Sequence, residues 1–383
     1  MATLPPQPAQ IPDDSRLQRL GGYLQADPDN APLLRDYAAE ALRVREHRAA
    51  ALAIERLAQH GETTLDDELL RARAWRLDGQ VAQALAALDQ AGVRWPGEGH
   101  VALERAATHF GQQALDAALE ALPDAGAEAA LPVPLAAEVR AMRVRLLHHL
   151  GRIDDAQAEA FRDGPALSAA VARAVLPVLM DASRLDDAQA LAGTLLQASG
   201  DTPAPYEVCE PLAAAALDRD DVEAARRWSA HGLQLRQDDG RIWLLHGLAE
   251  LRAGAQDPAL AALGRAATLM PAHAGSQLAL GWAHLAHNDL AAAQAAFEEA
   301  REISPSFAEC HGSLAVVAAL RGQVQPAQEL IRTSQRLDRH TASAMWAQQL
   351  LEGTPDLAQV ERIARLVIAR VRDQRPTPAS RPS

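Results

Sequence analysis

The chain contains no lysine; all 37 of its basic side chains are arginine. A lysine-bound cofactor, a lysine Schiff base and the lysine of phosphate-cradling loops are excluded together. Aromatic residues make up only 3% of the 383 residues although 48% are hydrophobic, so the apolar material is mostly Ala and Leu. Both are strong helix formers, and few β-branched or aromatic runs exist to build a sheet. Two cysteines, Cys209 and Cys310, are too few for a disulfide framework. No apolar run is long enough to span a bilayer, and the opening MATLPPQPAQIPDD has no signal-peptide pattern. A cytoplasmic location without membrane insertion is therefore expected. Positive charge is in short supply: 50 acidic residues against 37 basic give a net charge of -13. That balance argues against nucleic acid or an anionic membrane surface as the main partner.

What the chain does have is internal repetition. The stretch from Gly240 aligns with the stretch from Ala274 at an offset of 34 residues. Gly247 falls over Gly281, Ala259 over Ala293, Leu263 over Phe297, Ala266 over Ala300 and Pro271 over Pro305. Extending the register defines nine windows, beginning at Ala31, Leu65, Gly99, Ala137, Ala169, Tyr206, Gly240, Ala274 and Ala308. The twentieth slot is alanine in every one: Ala50, Ala84, Ala118, Ala156, Ala188, Ala225, Ala259, Ala293 and Ala327.

Each window carries two stretches with apolar residues at helical spacing, joined by a short polar turn. The turns hold Gly79, Gly151, Gly254, Asn288 and Gly322, and acidic pairs follow at Asp154-Asp155 and Asp186-Asp187. Carboxylates placed there are expected to cap the second helix of the pair. A small residue at the helix crossing lets two backbones approach closely. Pro96, Pro271 and Pro305 close windows where the second helix has to stop. No single hairpin can bury its own apolar face, so neighbours have to stack.

This pattern resembles the tetratricopeptide repeat (TPR) family. The residues that carry the likeness are Trp243, Gly247, Ala259, Leu263, Ala266 and Pro271 in one window, and Leu280, Gly281, Ala293, Phe297, Ala300 and Pro305 in the next. The family's first-helix glycine is replaced in other windows, as by Ala38, Ala72, Ala106, Val144 and Leu176. The resemblance implies an all-α fold, an α-solenoid (right-handed superhelix) of about nine TPR-like helical hairpins with capping helices at both ends.

Two stretches break the beat, 123–136 (PDAGAEAALPVPLA) and 199–205 (SGDTPAP), each either an elongated turn or a hinge. The expected organisation is a disordered start (1–14), N-terminal repeats (15–122), an irregular break (123–136), C-terminal repeats (137–341), capping helices (342–373) and a disordered tail (374–383). Within the cap, 356–373 places Leu357, Val360, Ala364, Val367 and Val371 on one amphipathic stripe.

Catalytic chemistry finds no foothold. His284 and His287 lack further ligands at motif spacing, His148-His149 form a poor chelate, and both cysteines fall on first helices as buried fillers. No nucleophile-elbow, zinc-helix or dinucleotide motif occurs. No enzyme activity, metal or cofactor is expected.

The resemblance implies that slots 2, 5, 6, 9, 12 and 13 of the first helices line a concave surface. In the last three windows these give Leu244, Leu248, Leu251, Arg252, Leu278, Trp282, Leu285, Val316 and Leu320, an apolar groove for a partner helix or peptide. In the N-terminal half they give Arg35, Arg73, Arg76 and Arg145, a basic lining suited to an acidic segment. The expected function is a non-catalytic adaptor, scaffold or chaperone-like accessory factor holding a protein or peptide partner, in what the arginine- and alanine-rich composition suggests is a bacterial setting. A peptide-sensing regulator and an accessory subunit of an enzyme or secretion complex are the alternatives; oligomeric state and partner identity are not encoded legibly.

Overall fold

The computed structural model describes residues 15–353 except 62 and 201. The stripe expected over 356–373 and both terminal tails lie outside the described residues. Those described contain twenty-one α-helices, a single 3-10 turn and no β-strand.

Helix α1 (Ser15–Ala26) stands alone, as the orphan at the start of the array. The first three hairpins are α2 (Ala31–Arg43) with α3 (His47–Gln59), α4 (Leu65–Leu77) with α5 (Val81–Arg94), and α6 (Gly99–Gly111) with the short α7 (Leu115–Glu120). An inserted turn of helix, α8 (Ala125–Ala129), precedes α9 (Val133–His149) and α10 (Ile153–Ala160). Next come α11 (Ala169–Asp181) and α12 (Leu185–Ser199), then α13 (Cys209–Asp218) and α14 (Val222–Leu235). The last hairpins are α15 (Gly240–Arg252) with α16 (Gln256–Leu269), α17 (Ala274–Ala286) with α18 (Leu290–Ile303), and α19 (Ala308–Leu320) with α20 (Val324–Leu337); α21 (Ala342–Glu352) follows. All nine windows are thus helical hairpins.

The repeat is physically uniform where the sequence is not. The alanine in slot 20 is completely buried in all nine hairpins. Slot 15, the first residue past the first helix's cap, has a left-handed backbone in all nine: Arg45, Gly79, Gln113, Gly151, Ser183, Asp220, Gly254, Asn288 and Gly322, with φ between 57° and 77°. This turn reverses the chain while satisfying the orphan carbonyls of the helix end, as where the Gln80 N–H donates to the Trp75 carbonyl at 2.8 Å. Glycine adopts that conformation freely, whereas Arg45, Gln113, Ser183 and Asp220 are held in it against their preference.

A Cβ on Gly247 would lie 2.6 Å from Leu263 Cγ, and one on Gly281 would collide with the Phe297 ring. Only glycine lets those two hairpins close to that distance. Where slot 8 carries Ala38 or Ala72, the residue shares a core cluster with Ile54 or Leu88 of the facing helix, and Ala106 shares one with Leu122, just past the end of α7. Helices α5, α16 and α18 end one or two residues before Pro96, Pro271 and Pro305, as expected.

The acidic pairs behave differently from expectation. Asp155 and Asp187 stand in the first turn of α10 and α12 but accept from Arg152 and Arg184, both at 2.7 Å, and cap no N–H. True side-chain caps come from Asp221 and Asp289, which accept from Ala224 N and Ala292 N at 3.0 Å.

The described helices divide into two compact units, the first ending at Val175 and the second beginning at Leu176, inside α11 and just ahead of its internal Pro177. In the first unit each hairpin packs on the next, with separate clusters centred on Ile54, Leu88 and Val139. In the second, one continuous core runs from Cys209 to Ala347. Both breaks in the beat fall inside a unit. Gly200 (φ 54°) caps the end of α12, and residues 202–205 precede the 3-10 turn at Tyr206–Val208. Residues 123–136 contain α8 and start α9 four residues ahead of its window.

Candidate functional site

The apolar residues expected to line an open trough are mostly core. Leu248, Leu278, Trp282 and Val316 are at most 2% exposed, and Leu244 and Leu285 are also buried. Leu251 and Leu320 are half-buried against the same cluster. First helices of successive hairpins pack directly on one another here, α13 on α15, α15 on α17 and α19 on α21, so their facing side chains are consumed by stacking. Trp282 donates its indole N–H to Ser313 Oγ at 3.1 Å and meets both Phe297 and Trp346. Arg252 donates to the Leu217 carbonyl and faces Asp220 at 3.6 Å. These nine residues hold the array together, and no partner reaches the buried ones while the hairpins stay stacked.

The basic lining of the N-terminal half is likewise engaged. Arg35 forms a bidentate pair with Asp67 through bonds of 3.0–3.1 Å. Arg73 and Arg76 both reach Glu104, the latter at 3.4 Å. Each pair joins one hairpin to the next. Burial alone would raise the Asp67 carboxyl, but hydrogen bonds from Arg35 and Thr64 outweigh it and hold it below the ordinary range. Arg145 is exposed beside His149, whose pKa falls through burial first and then through the charges of His148 and Arg145.

The sequence reading missed the polar centre of the first unit, which sits in the break itself. Glu128 on α8 is 1% exposed and accepts from three arginines: Arg140 Nε at 3.2 Å, Arg143 Nη1 at 2.6 Å and Arg162 Nη2 at 2.8 Å. Arg143 also donates to Glu159 at 2.8 Å and to the Pro123 carbonyl, tying the start of the break to α10. Arg140 Nη2 reaches Asp163 at 2.6 Å. Burial would push the Glu128 carboxyl up, yet the hydrogen bonds and charges of Arg143 and Arg162 hold it below its ordinary value. A buried carboxylate is tolerable only with such complete pairing.

Local chain geometry opens a cleft at this centre. The second helix α10 has only eight residues, where α5, α14, α16, α18 and α20 have fourteen. After α10, residues 161–168 form no helix and turn at Gly164 (φ 106°). A cleft of about 470 Å³ results, with Leu131, Val133, Leu167 and Val171 on its walls and Arg140, Arg162 and Asp163 among its polar lining. Val133, on one wall, is 83% exposed. The only hint in the sequence was a displaced register around a single glutamate in an Ala- and Pro-rich stretch.

Among the described residues no three His, Cys, Asp or Glu side chains converge as metal ligands. Burial pushes the thiols of Cys209 and Cys310 up to about 12, so neither is a nucleophile at neutral pH. No described helix is long and apolar enough to cross a membrane.

No protein-family model matches the chain, and no curated protein matches it in sequence. Solved structures similar to it include MamA, at 18% identity over 43% of this chain and 95% of that one, with a TM-score of 0.36. YrrB, described as a TPR protein with an unusual peptide-binding site, is 16% identical over 48% of this chain and 92% of its own, with a TM-score of 0.37. A tetratricopeptide repeat protein from Parabacteroides merdae ATCC 43184 is 11% identical over 76% of this chain and 99% of its own, with a TM-score of 0.40. The nine hairpins themselves, each with its buried slot-20 alanine and left-handed turn, give the chain a fold of tandem helical repeats of the tetratricopeptide kind.

Proposed function

We propose that the chain is a non-catalytic adaptor that holds a segment of a protein partner in the cleft between α8, α9 and residues 161–168. One observation carries this reading. The short α10 and the non-helical residues 161–168 leave a walled opening with aliphatic sides and guanidinium groups at hand. Repeat arrays spend their core on neighbour contacts and use the remaining surface for partners. A cleft with a rigid ionic base and an exposed aliphatic rim suits a protein segment better than a small polar metabolite.

The test is recovery of native complexes from the protein's own cells using the full chain and its Val133→Glu variant. Val133 contributes almost nothing to the core, so the variant should keep its helicity and melting temperature. Loss of the principal partner from the variant is the expected result. Equal recovery with both chains would overturn the reading.

A further inference from the structure

We infer that Asp163 occupies its own protein's binding site, standing in for the carboxylate of a partner segment on Arg140 and Arg162. The inference deepens the adaptor reading and rests on it. The partner segment it points to carries an acidic side chain flanked by aliphatic ones.

The ionic cluster has three cations, Arg140, Arg143 and Arg162, and three carboxylates, Glu128, Glu159 and Asp163. The carboxylates are not equivalent. Glu128 and Glu159 have side chains 1% and 16% exposed and are held on helices α8 and α10. Asp163 is 64% exposed and sits in the non-helical segment that borders the cleft. Without Asp163 the cluster keeps three guanidinium groups against two carboxylates, one positive charge in excess at the cleft. Asp163 neutralises it through a single strong contact, Arg140 Nη2 at 2.6 Å, and a looser approach to Arg162 Nε at 3.8 Å.

An exposed aspartate in a turn is the exchangeable member of such a set. Surface ion pairs add little to stability, so an incoming carboxylate that brings further contacts can displace it at small loss. Those contacts are on hand: Leu131, Val133 and Leu167, none of them fully buried, flank the arginines. Arginine donates N–H bonds to a carboxylate, and Arg140 Nη2 and Arg162 Nε are the donors released once Asp163 swings away. An acidic residue alone would find the charge but not the walls, and an aliphatic segment alone would leave Asp163 in place.

Fluorescence anisotropy on the full chain tests this with a labelled, end-capped peptide, Leu-Ala-Leu-Glu-Leu-Ala-Leu, and its counterpart with Gln for Glu. The glutamate peptide should bind at least about tenfold more tightly than the glutamine peptide. Asp163→Ala should tighten the glutamate peptide by about tenfold and leave the glutamine peptide unchanged. Since Asp163 is exposed, the variant should melt with the unaltered chain, so a null effect cannot be blamed on misfolding. Equal affinity for the two peptides, absence of binding, or an Asp163→Ala variant that treats the glutamate peptide as the parent does would overturn the inference. If partner recovery still depends on Val133 in that event, the adaptor reading stands without it; if that dependence is missing as well, both fall.

Discussion

Trp282 and Trp346 lie with their ring centres 5.9 Å apart and their planes tilted by 32°, although three helices separate them along the chain. Both are at most 1% exposed, and each comes from a first helix. Trp282→Ala should therefore act on stability, with a loss of about 3–5 kcal/mol in chemical denaturation as for large aromatic cavities. A variant that kept its stability while losing a partner would restore Trp282 to a binding surface and remove it from the core.

Slot 15 offers a matched pair of substitutions. Gly322 has φ 73° and no atom within 4 Å of a would-be Cβ, so Gly322→Ala isolates backbone strain from steric clash. A loss of about 1–2 kcal/mol is expected. Gln113 holds φ 59° with a Cβ, and Gln113→Gly should raise stability by less than about 1 kcal/mol, since glycine also loosens the unfolded chain. Urea midpoints moving in the same direction for both would contradict the shared turn geometry.

The Glu128 network predicts an acid limb in the stability curve. Its carboxyl titrates below the ordinary value of 4.5 when folded, so the stabilisation is complete above that pH and is lost as pH falls through the folded value. Asp67 is shifted in the same direction and adds to the same limb. Glu128→Gln should lower stability at neutral pH by about 1.5–3 kcal/mol and shallow the acid limb. Thermal melts between pH 3 and 7 check both; an unchanged acid limb would separate the limb from this carboxylate.

Glu309 is 1% exposed on α19 and accepts from Ala342 N at 3.1 Å and Ser343 N at 3.3 Å, capping α21 from another helix. Glu309→Ala should cost about 0.5–2 kcal/mol. The loss should register first as faster hydrogen exchange in the opening turns of α21, before the rest of the second unit. Uniform acceleration throughout that unit would argue for a global role instead.

Overpacking tests the crossing. Ala293 is wholly buried where α18 meets its neighbours, and Ala293→Leu should destabilise by about 1–3 kcal/mol. Ala261→Leu on an exposed face serves as the control. Equal melting temperatures for the two would mean that the crossing tolerates bulk the stacked hairpins should not admit.

Much of the fold was legible because slot 20 and the glycine turns are local rules written into the chain. A small residue is needed wherever backbones cross, and Gly79 or Gly322 announces a left-handed turn. Arg45 and Gln113 take the same conformation with no such announcement, since neighbouring packing imposes it. The site was harder to read. Trp282 and Leu248 look like groove residues on a helical wheel, but a wheel cannot say whether the next first helix covers them. Arg35 and Arg73 look free until Asp67 and Glu104, about 30 residues away, are brought alongside.

The order of residues by itself determined nine helical hairpins and the need to stack, because helix periodicity, turn conformation and close crossing all act within a window of some 34 residues. Tertiary structure alone decided which faces stay open. Burial and ion pairing depend on residues that meet only after hairpins nest, so the same apolar and basic positions became core and inter-hairpin pairs, while an inconspicuous glutamate in a broken repeat became the centre of the cleft.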